Sequence, residues 1–272
     1  MIKSLVSIYR NSKSFINKVL TNDNYSELFV KRNDNNFSRE LKKYRILKNF
    51  KKISNNHILE CETYINKKLN LNSKNNKSVY VNNIGSRDFD VESILIKIAL
   101  NDKILTIVQN YLGERSILWD LRILKSENIN NLSIQSDQLW HRDKYDSKSL
   151  RLWLSLSDCN NKCGPFQYLP FSISKNIFKS YFGRLDDNYI KKNNLINHID
   201  FLYSKKGDLS LIDVSKLLHC GSRVNIGYSR LVFNAIYTTA KPLKEPTFDL
   251  KLRDKLFKNP DLSDIQKSFL SY

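Results

Sequence analysis

His141 and Asp143 stand where an imidazole and a carboxylate could share one metal ion. The residues before them predict a strand, and positions i and i+2 of a strand point to the same side. His141 and Asp143 would then face one interior point, while Arg142 faces away. His219, after a later predicted strand, is the candidate for a second imidazole. Two imidazoles and one carboxylate are the ligand set of non-haem Fe(II) sites. The tripeptide alone fits a surface pair equally well.

Arg230 adds a fourth group to this pattern, because it opens the predicted strand 230–237. A guanidinium holds a carboxylate by a planar two-point contact. Three protein ligands leave room on the ion for a chelating 2-oxo acid and for dioxygen, and a buried arginine can fix the far carboxylate of that acid. Arg230 taken alone also fits a salt-bridged edge-strand residue. The combination of all four residues points to a metal centre.

The elements that must position these residues change character along the chain. Residues 1–115 read as mainly helical, with the clearest helix over 91–112 and a stop at Gly113. Residues 116–240 read as short strands separated by turns, which favours an antiparallel sandwich or barrel. Residues 175–205 are expected to cross one mouth of that barrel, and 241–272 form a tail. The predicted strands are 117–124, 149–157, 164–169, 208–214 and 230–237.

Composition limits the class of protein. Lys and Arg number 45 against 27 Asp and Glu, a net charge of +18, and 41% of residues are hydrophobic. The positive charge is spread over the whole chain, so a nucleic-acid partner is disfavoured and a solvated basic surface is expected.

Four cysteines are too few for a disulfide framework and predict reduced thiols in a cytoplasmic protein. Residues 1–20 predict a basic amphipathic helix that packs on the protein body, with contact to an anionic membrane surface as the alternative.

Residues 90–240 resemble the phytanoyl-CoA dioxygenase family of Fe(II)- and 2-oxoglutarate-dependent oxygenases. The segments that carry the resemblance are LWHRD at 139–143, RLWLSLSDCNNKCGPFQYLP at 151–170 and GDLSLIDVSKLLHCGSRVNIGYSRLVFNAIY at 207–237. The resemblance implies a mainly β fold with flanking α-helices around a double-stranded β-helix, a cupin-like jelly roll. It also implies a single oxygenase domain over 1–272, with the jelly-roll core in 116–240.

The same resemblance implies the roles of individual residues. The implied metal ligands are His141, Asp143 and His219. Arg230 matches the arginine that pairs with the distal carboxylate of 2-oxoglutarate, and Trp153 matches a tryptophan that lines the co-substrate pocket. Gln138 is assigned to the co-substrate on position alone. The implied cofactors are Fe(II), 2-oxoglutarate and O2, with ascorbate as a reductant that keeps the iron ferrous.

The chain departs from the family pattern in two places. The family often reads Pro-Gly-Ser-His where this chain has PFSIS at 170–174, which changes a loop near the mouth. Many members carry a serine two residues after the distal histidine, where this chain has Gly221 followed by Ser222. Neither change removes a ligand, but the anchoring of the co-substrate is expected to differ in detail.

The expected activity is hydroxylation of a C–H bond in a small or medium-sized metabolite, with anionic compounds among the candidates, and release of succinate and CO2. Related halogenases carry a small residue in place of Asp143, so its presence favours hydroxylation or a similar oxidation over halogenation. Lys125, Lys144 and Tyr145 flank the predicted mouth, where they either contact an anionic group or are solvated. The alternative is a non-catalytic basic jelly roll that binds nucleic acid or an anionic surface. A cupin-like metal isomerase fits less well, because its reaction does not require an arginine at position 230.

Overall fold

The computed structural model describes residues 36–71, 80–113, 115–128, 136–181 and 183–271. The helix expected over 1–20 lies outside these ranges. The described helices are α1 (Asn36–Tyr44), α2 (Asn55–Leu71), α3 (Ile94–Ala99), α4 (Asp102–Leu112), α5 (Phe171–Ser174), α6 (Asp187–Lys192), α7 (Leu250–Phe257) and α8 (Asp264–Leu270). The described strands are β1 (Ile46–Lys52), β2 (Tyr80–Gly85), β3 (Ser116–Glu127), β4 (Ser149–Ser155), β5 (Phe166–Tyr168), β6 (Asp200–Leu202), β7 (Asp208–Asp213), β8 (His219–Gly221) and β9 (Ser229–Thr239).

The strands form two antiparallel sheets. The six-stranded sheet has the order β1-β7-β4-β9-β3-β2, and the three-stranded sheet has the order β6-β5-β8. Isolated bridges from His141 to His219 and from Trp140 to Leu185 extend the smaller sheet beyond β8. The structure thus confirms the predicted fold class, mainly β with flanking helices around a jelly-roll core.

Alternation along β4 shows how the large sheet separates two cores. Leu150, Leu152 and Leu154 lie on one face and pack in the core shared with the helices. Trp153 lies on the other face and packs with residues of the small sheet, among them Phe166. Successive strand residues point to opposite faces, so a strand that is apolar on both sides must be covered on both sides. The space between the two sheets is where the site lies.

Two features of the N-terminal half differ from the sequence expectation. β1 and β2 come from the part expected to be mainly helical, and they form the two edges of the large sheet. The helix expected over 91–112 is two helices, α3 and α4. They are separated because Asn101 takes an extended conformation at the start of α4. Gly113 ends α4 with φ of +74°, as predicted from its sequence position.

The segment 175–205 contains a 3-10 turn, α6, a second 3-10 turn and β6. It is therefore partly built into the small sheet and is not only a loop across the barrel mouth. Within the described ranges, no helix combines the length and the apolar character needed to cross a membrane.

Candidate metal centre

Backbone pairing brings the two histidine segments together. His141 and His219 exchange two backbone hydrogen bonds, N–H to O of 2.8 and 2.9 Å. The Asp143 amide donates to the Val214 carbonyl, in the turn that leads from β7 to β8, at 2.9 Å. Residues 141–143 therefore run alongside β8 and its preceding turn. Ring centroids of His141 and His219 lie 4.5 Å apart as a result.

The ligating atoms converge on one point between the sheets. His141 Nε2 lies 3.4 Å from Asp143 Oδ1, and His219 Nε2 lies 4.0 Å from Asp143 Oδ2. One ligand atom from each residue falls within 4.8 Å of the other two. Metal–ligand distances of about 2.0–2.2 Å place ligating atoms roughly 3–4 Å apart around one ion, so this spacing suits a single metal ion.

Backbone carbonyls fix which nitrogen of each imidazole faces the centre. His141 Nδ1 lies 2.7 Å from the Leu139 carbonyl, and His219 Nδ1 lies 2.9 Å from the Leu217 carbonyl. A carbonyl only accepts, so each Nδ1 carries the proton and each Nε2 keeps its lone pair. His219 Nε2 is buried and has no hydrogen-bond partner among the described residues. A bound metal ion would satisfy that nitrogen, so the donor set fits a divalent ion.

Electrostatics keep His219 and Asp143 in the protonation states that bind metal. Burial, with His141 next to it, lowers the pKa of His219 to about 3, so its imidazole is neutral. Burial alone would raise the pKa of Asp143, but the Arg151 guanidinium bonded to it opposes burial and holds the pKa well below its ordinary value. Asp143 is therefore a carboxylate at neutral pH. Neutral imidazoles and an ionised carboxylate are the forms that ligate metals.

Arg151 was not identified from the sequence. Its Nη2 donates to Asp143 Oδ2, and Tyr145 Oη lies 3.5 Å from the same nitrogen. Arg151 lies on the same face of β4 as Trp153, so the alternation of β4 carries a signal for its inward direction. The alternation does not predict that residues 141–143 lie beside β4, where Asp143 meets Arg151.

Arg142 faces away from the centre, as the strand period predicts. Its Nε donates to the Lys216 carbonyl at 3.0 Å, and its Nη1 donates to the Ile177 carbonyl at 3.2 Å. Nη1 also donates to Ser180 Oγ, and Nη2 to the Ser174 carbonyl. Arg142 thereby ties the backbone of the centre to the turn before β8 and to residues 174–180.

Arg230 lies between the sheets, buried beside Trp153. Its Cζ is 5.5 Å from the Trp153 ring centroid, and its Nη1 and Nη2 donate to the Gly164 carbonyl and to Ser126 Oγ. A Cβ built on Gly221 would lie 3.8 Å from Arg230 Nη2, so Gly221 borders the guanidinium.

Two further polar residues stand out in the sequence near the expected co-substrate site, Ser222 and Gln138. Ser222 Oγ donates to the Pro165 carbonyl, so it does not stand in for a serine at 221. Gln138 is half-buried at the end of a 3-10 turn, Ser136–Gln138. Its neighbour Asp137, which the sequence did not single out, has Oδ1 3.9 Å from His141 Nε2 and 3.0 Å from Arg184 Nη2.

Phe166 is a second residue that sequence reasoning missed. Its ring stacks on His219 at 4.9 Å between centroids and meets Trp153 edge-on at 5.6 Å. It is an apolar wall that fixes the plane of the His219 imidazole. The remaining two histidines, His57 and His198, are exposed and distant in sequence from these segments.

No family model matches the sequence, and no curated protein sequence matches it. The resemblance to the phytanoyl-CoA dioxygenase family therefore stays a prediction. Solved structures do match the fold. The non-heme alpha-ketoglutarate-dependent carbocyclase SnoK from nogalamycin biosynthesis gives a TM-score of 0.59 at 15% identity, covering 84% of this chain and 92% of SnoK.

Two further structures give similar values. The non-heme alpha-ketoglutarate-dependent epimerase SnoN, also from nogalamycin biosynthesis, has a TM-score of 0.57 at 15% identity over 84% of this chain and 91% of SnoN. EctD from S. alaskensis, solved with 2-oxoglutarate and 5-hydroxyectoine, has a TM-score of 0.58 at 15% identity over 85% of this chain and 82% of EctD. At these identities the likeness establishes a shared jelly-roll fold.

Proposed function

We propose that this protein is an Fe(II)- and 2-oxoglutarate-dependent dioxygenase that hydroxylates a C–H bond of a small or medium-sized metabolite, with release of succinate and CO2. The observation that carries the proposal is the convergence of His141, Asp143 and His219, with both Nδ1 atoms fixed by carbonyls and one buried Nε2 left without a partner. The family resemblance of residues 90–240 and the fold shared with the three solved structures support it.

The proposed ligands for iron are His141, Asp143 and His219. Bound there with 2-oxoglutarate, Fe(II) would supply the dioxygen chemistry that side chains cannot perform. The protein holds the two imidazoles in one tautomer through the Leu139 and Leu217 carbonyls. Such outer partners typically change metal affinity about 10–100-fold when removed.

Arg230 is the proposed anchor for the distal carboxylate of 2-oxoglutarate. Its guanidinium is buried, and the Gly164 carbonyl, Ser126 and the face of Trp153 fix its plane. A carboxylate that approaches it exchanges water for a fixed, charged donor in a surrounding of low polarity. Trp153 and Phe166 exclude water on the way to the metal ligands. The proposed role of Gln138 is a weaker polar contact at the same end of the pocket.

Enzymes with this fold catalyse different reactions, since the matched structures include an epimerase and a carbocyclase. Hydroxylation is the outcome proposed here, and Asp143, which completes the ligand set, favours it over halogenation. Product analysis separates the outcomes: hydroxylation adds one oxygen atom to the substrate, whereas epimerisation leaves its mass unchanged.

Succinate formation tests the proposal directly. Purified protein is incubated with Fe(II), 2-oxoglutarate, ascorbate and air, and succinate is measured with and without each component. We expect succinate to require both Fe(II) and 2-oxoglutarate and to be lost in His141→Ala, while His57→Ala, which changes an exposed histidine, keeps the wild-type rate. Retained turnover in His141→Ala would contradict the proposal, and steeply salt-dependent binding to DNA or RNA without turnover would favour the basic-module alternative.

A further inference from the structure

Arg122 lies on the wall of the space between the sheets. Its neighbours Leu121 and Ile123 pack in the core shared with the helices, whereas Leu124 packs in the core between the sheets. Because side chains alternate along a strand, Arg122 shares the inner face of β3 with Leu124 and with Ser126, which bonds Arg230. A charged side chain on this face has no role in the machinery described above.

The guanidinium of Arg122 is held by one edge only. Its Nε donates to Asp120 Oδ2, while Asp120 Oδ1 accepts from the Leu121 amide at 2.9 Å. In the part of the chain that the structure describes, Nη1 and Nη2 of Arg122 make no hydrogen bond. One third of the side chain is solvent-accessible. Asp120 thus orients the guanidinium, and the forked end of the group remains open to a ligand.

The residues level with Arg122 leave a polar, open space. Asn234 on β9 lies directly opposite it, and Trp153 on β4 lies directly opposite Asn234. Asn234 is 1% exposed, and its Oδ1 has no hydrogen-bond partner within the described ranges. An amide oxygen accepts hydrogen bonds, so a hydroxyl or amino group of a bound molecule would satisfy it. On the other side, Gly85 of β2 pairs with Arg122, and a Cβ added there would meet nothing within 4 Å.

This space is distinct from the anchor proposed for 2-oxoglutarate. Arg230 precedes Asn234 by four residues on β9, which is about 13 Å along a strand. Asn234 is instead level with Trp153 on β4, two residues from Arg151, whose partner is Asp143. A molecule between Arg122 and Asn234 would therefore lie beside the metal ligands, while the co-substrate reaches them from Arg230.

The open end of the Arg122 guanidinium fits an anion that has two acceptor oxygens. The guanidinium groups of Arg122 and Arg151 are offset by the carboxylates of Asp120 and Asp143, so these two pairs carry no surplus positive charge. A singly charged carboxylate offers its two oxygens to the two Nη donors and adds less uncompensated negative charge than a doubly charged phosphate. Resting on the proposed function, we infer that Arg122 forms the subsite for a carboxylate of the primary substrate, with Asn234 Oδ1 placed to accept from a hydroxyl or amino group of the same molecule, so that the enzyme acts on a small carboxylic acid.

Ligand-observed NMR tests this inference without turnover. The protein is loaded with Zn(II) and saturating 2-oxoglutarate, then titrated with straight-chain monocarboxylates of about four to ten carbons and with the matching primary amides. We expect the best carboxylate to bind at least tenfold more tightly than its amide, the size of a charge-assisted hydrogen bond. Arg122→Gln should abolish that preference and leave the affinity for 2-oxoglutarate unchanged.

Gly85→Leu keeps the charge of Arg122 but fills the space beside it. Leucine is compatible with this position, because the backbone of Gly85 does not adopt a positive φ. We expect it to weaken carboxylates and amides alike, again without effect on 2-oxoglutarate. A wild-type protein that binds 2-oxoglutarate but shows no preference for carboxylates would overturn the inference and leave the proposed function standing. So would an Arg122→Gln variant that keeps the preference. Failure to bind Zn(II) and 2-oxoglutarate at all would overturn the proposed function, and the inference with it.

Discussion

Replacing Arg151 by methionine removes the guanidinium that donates to Asp143 and keeps the side-chain length nearly constant. The side chains of Arg151 and Asp143 are 14% and 10% exposed, so the pair is shielded from water on both sides. Removing one partner of a buried ion pair leaves an uncompensated charge and costs about 3–5 kcal/mol. We therefore expect the metal-free variant to lose about 3–5 kcal/mol of unfolding free energy.

The assay is urea denaturation at pH 7 in the presence of a chelator, followed by circular dichroism. Lys205→Met is the control, because Lys205 pairs with Asp158 and both side chains are mostly exposed, 74% and 62%. Exposed pairs contribute about 0–1 kcal/mol, so the control should change little. Equal losses in Arg151→Met and Lys205→Met would refute the reasoning that Asp143 depends on Arg151.

The pH dependence of the same variant has a defined sign. In the wild type the pKa of Asp143 is held below its ordinary 3.8, so the pair stabilises the folded state above about pH 4 and loses this contribution as the pH falls further. In Arg151→Met the effect of burial is less opposed, which raises the pKa of Asp143. The difference in unfolding free energy between wild type and variant should therefore shrink as the pH is lowered from 7 toward 4. A difference that stays constant over this range would show that the loss comes from packing.

Three further changes have defined outcomes. Arg230→Met should weaken 2-oxoglutarate binding at least thirtyfold, measured by calorimetry on the Zn(II) form, because a buried charged donor is worth about 2–5 kcal/mol; unchanged affinity would place the co-substrate elsewhere. Tyr111→Phe should cost about 1–3 kcal/mol in urea denaturation, because the hydroxyl donates to buried Asp213 and accepts from Arg45. Leu211→Ala should cost about 2–5 kcal/mol in the same assay, because this side chain is fully buried between sheet and helices. A loss below 1 kcal/mol in either variant would contradict the packing described.

The directions of side chains along a single strand could be predicted from the two-residue period of the sequence. The two-residue period places His141 and Asp143 on one side and Arg142 on the other, and the structure has the same arrangement. The alternation of β4 likewise predicts the directions of Leu152 and Trp153. These predictions succeed because each depends on residues that are adjacent in the chain.

Several contacts between distant segments of the chain could not be predicted from the sequence. Nothing in the pattern of β1 or β2 shows that they join the edges of the large sheet. The contact of Arg151 with Asp143 depends on the path of residues 141–143 across β4, and the stacking of Phe166 on His219 depends on the register of β5 with β8. The break at Asn101 was also missed, since apolar spacing continues through it while the backbone turns.

Metal titration of the intact protein tests the central claim most directly. Calorimetry with a divalent ion should show one high-affinity ion per chain in the wild type. His141→Ala, Asp143→Ala and His219→Ala should each lower the affinity at least a hundredfold, whereas His57→Ala and His198→Ala should leave it unchanged. Binding that survives in all three ligand variants, or that is lost on changing either exposed histidine, would contradict the assignment of the metal centre.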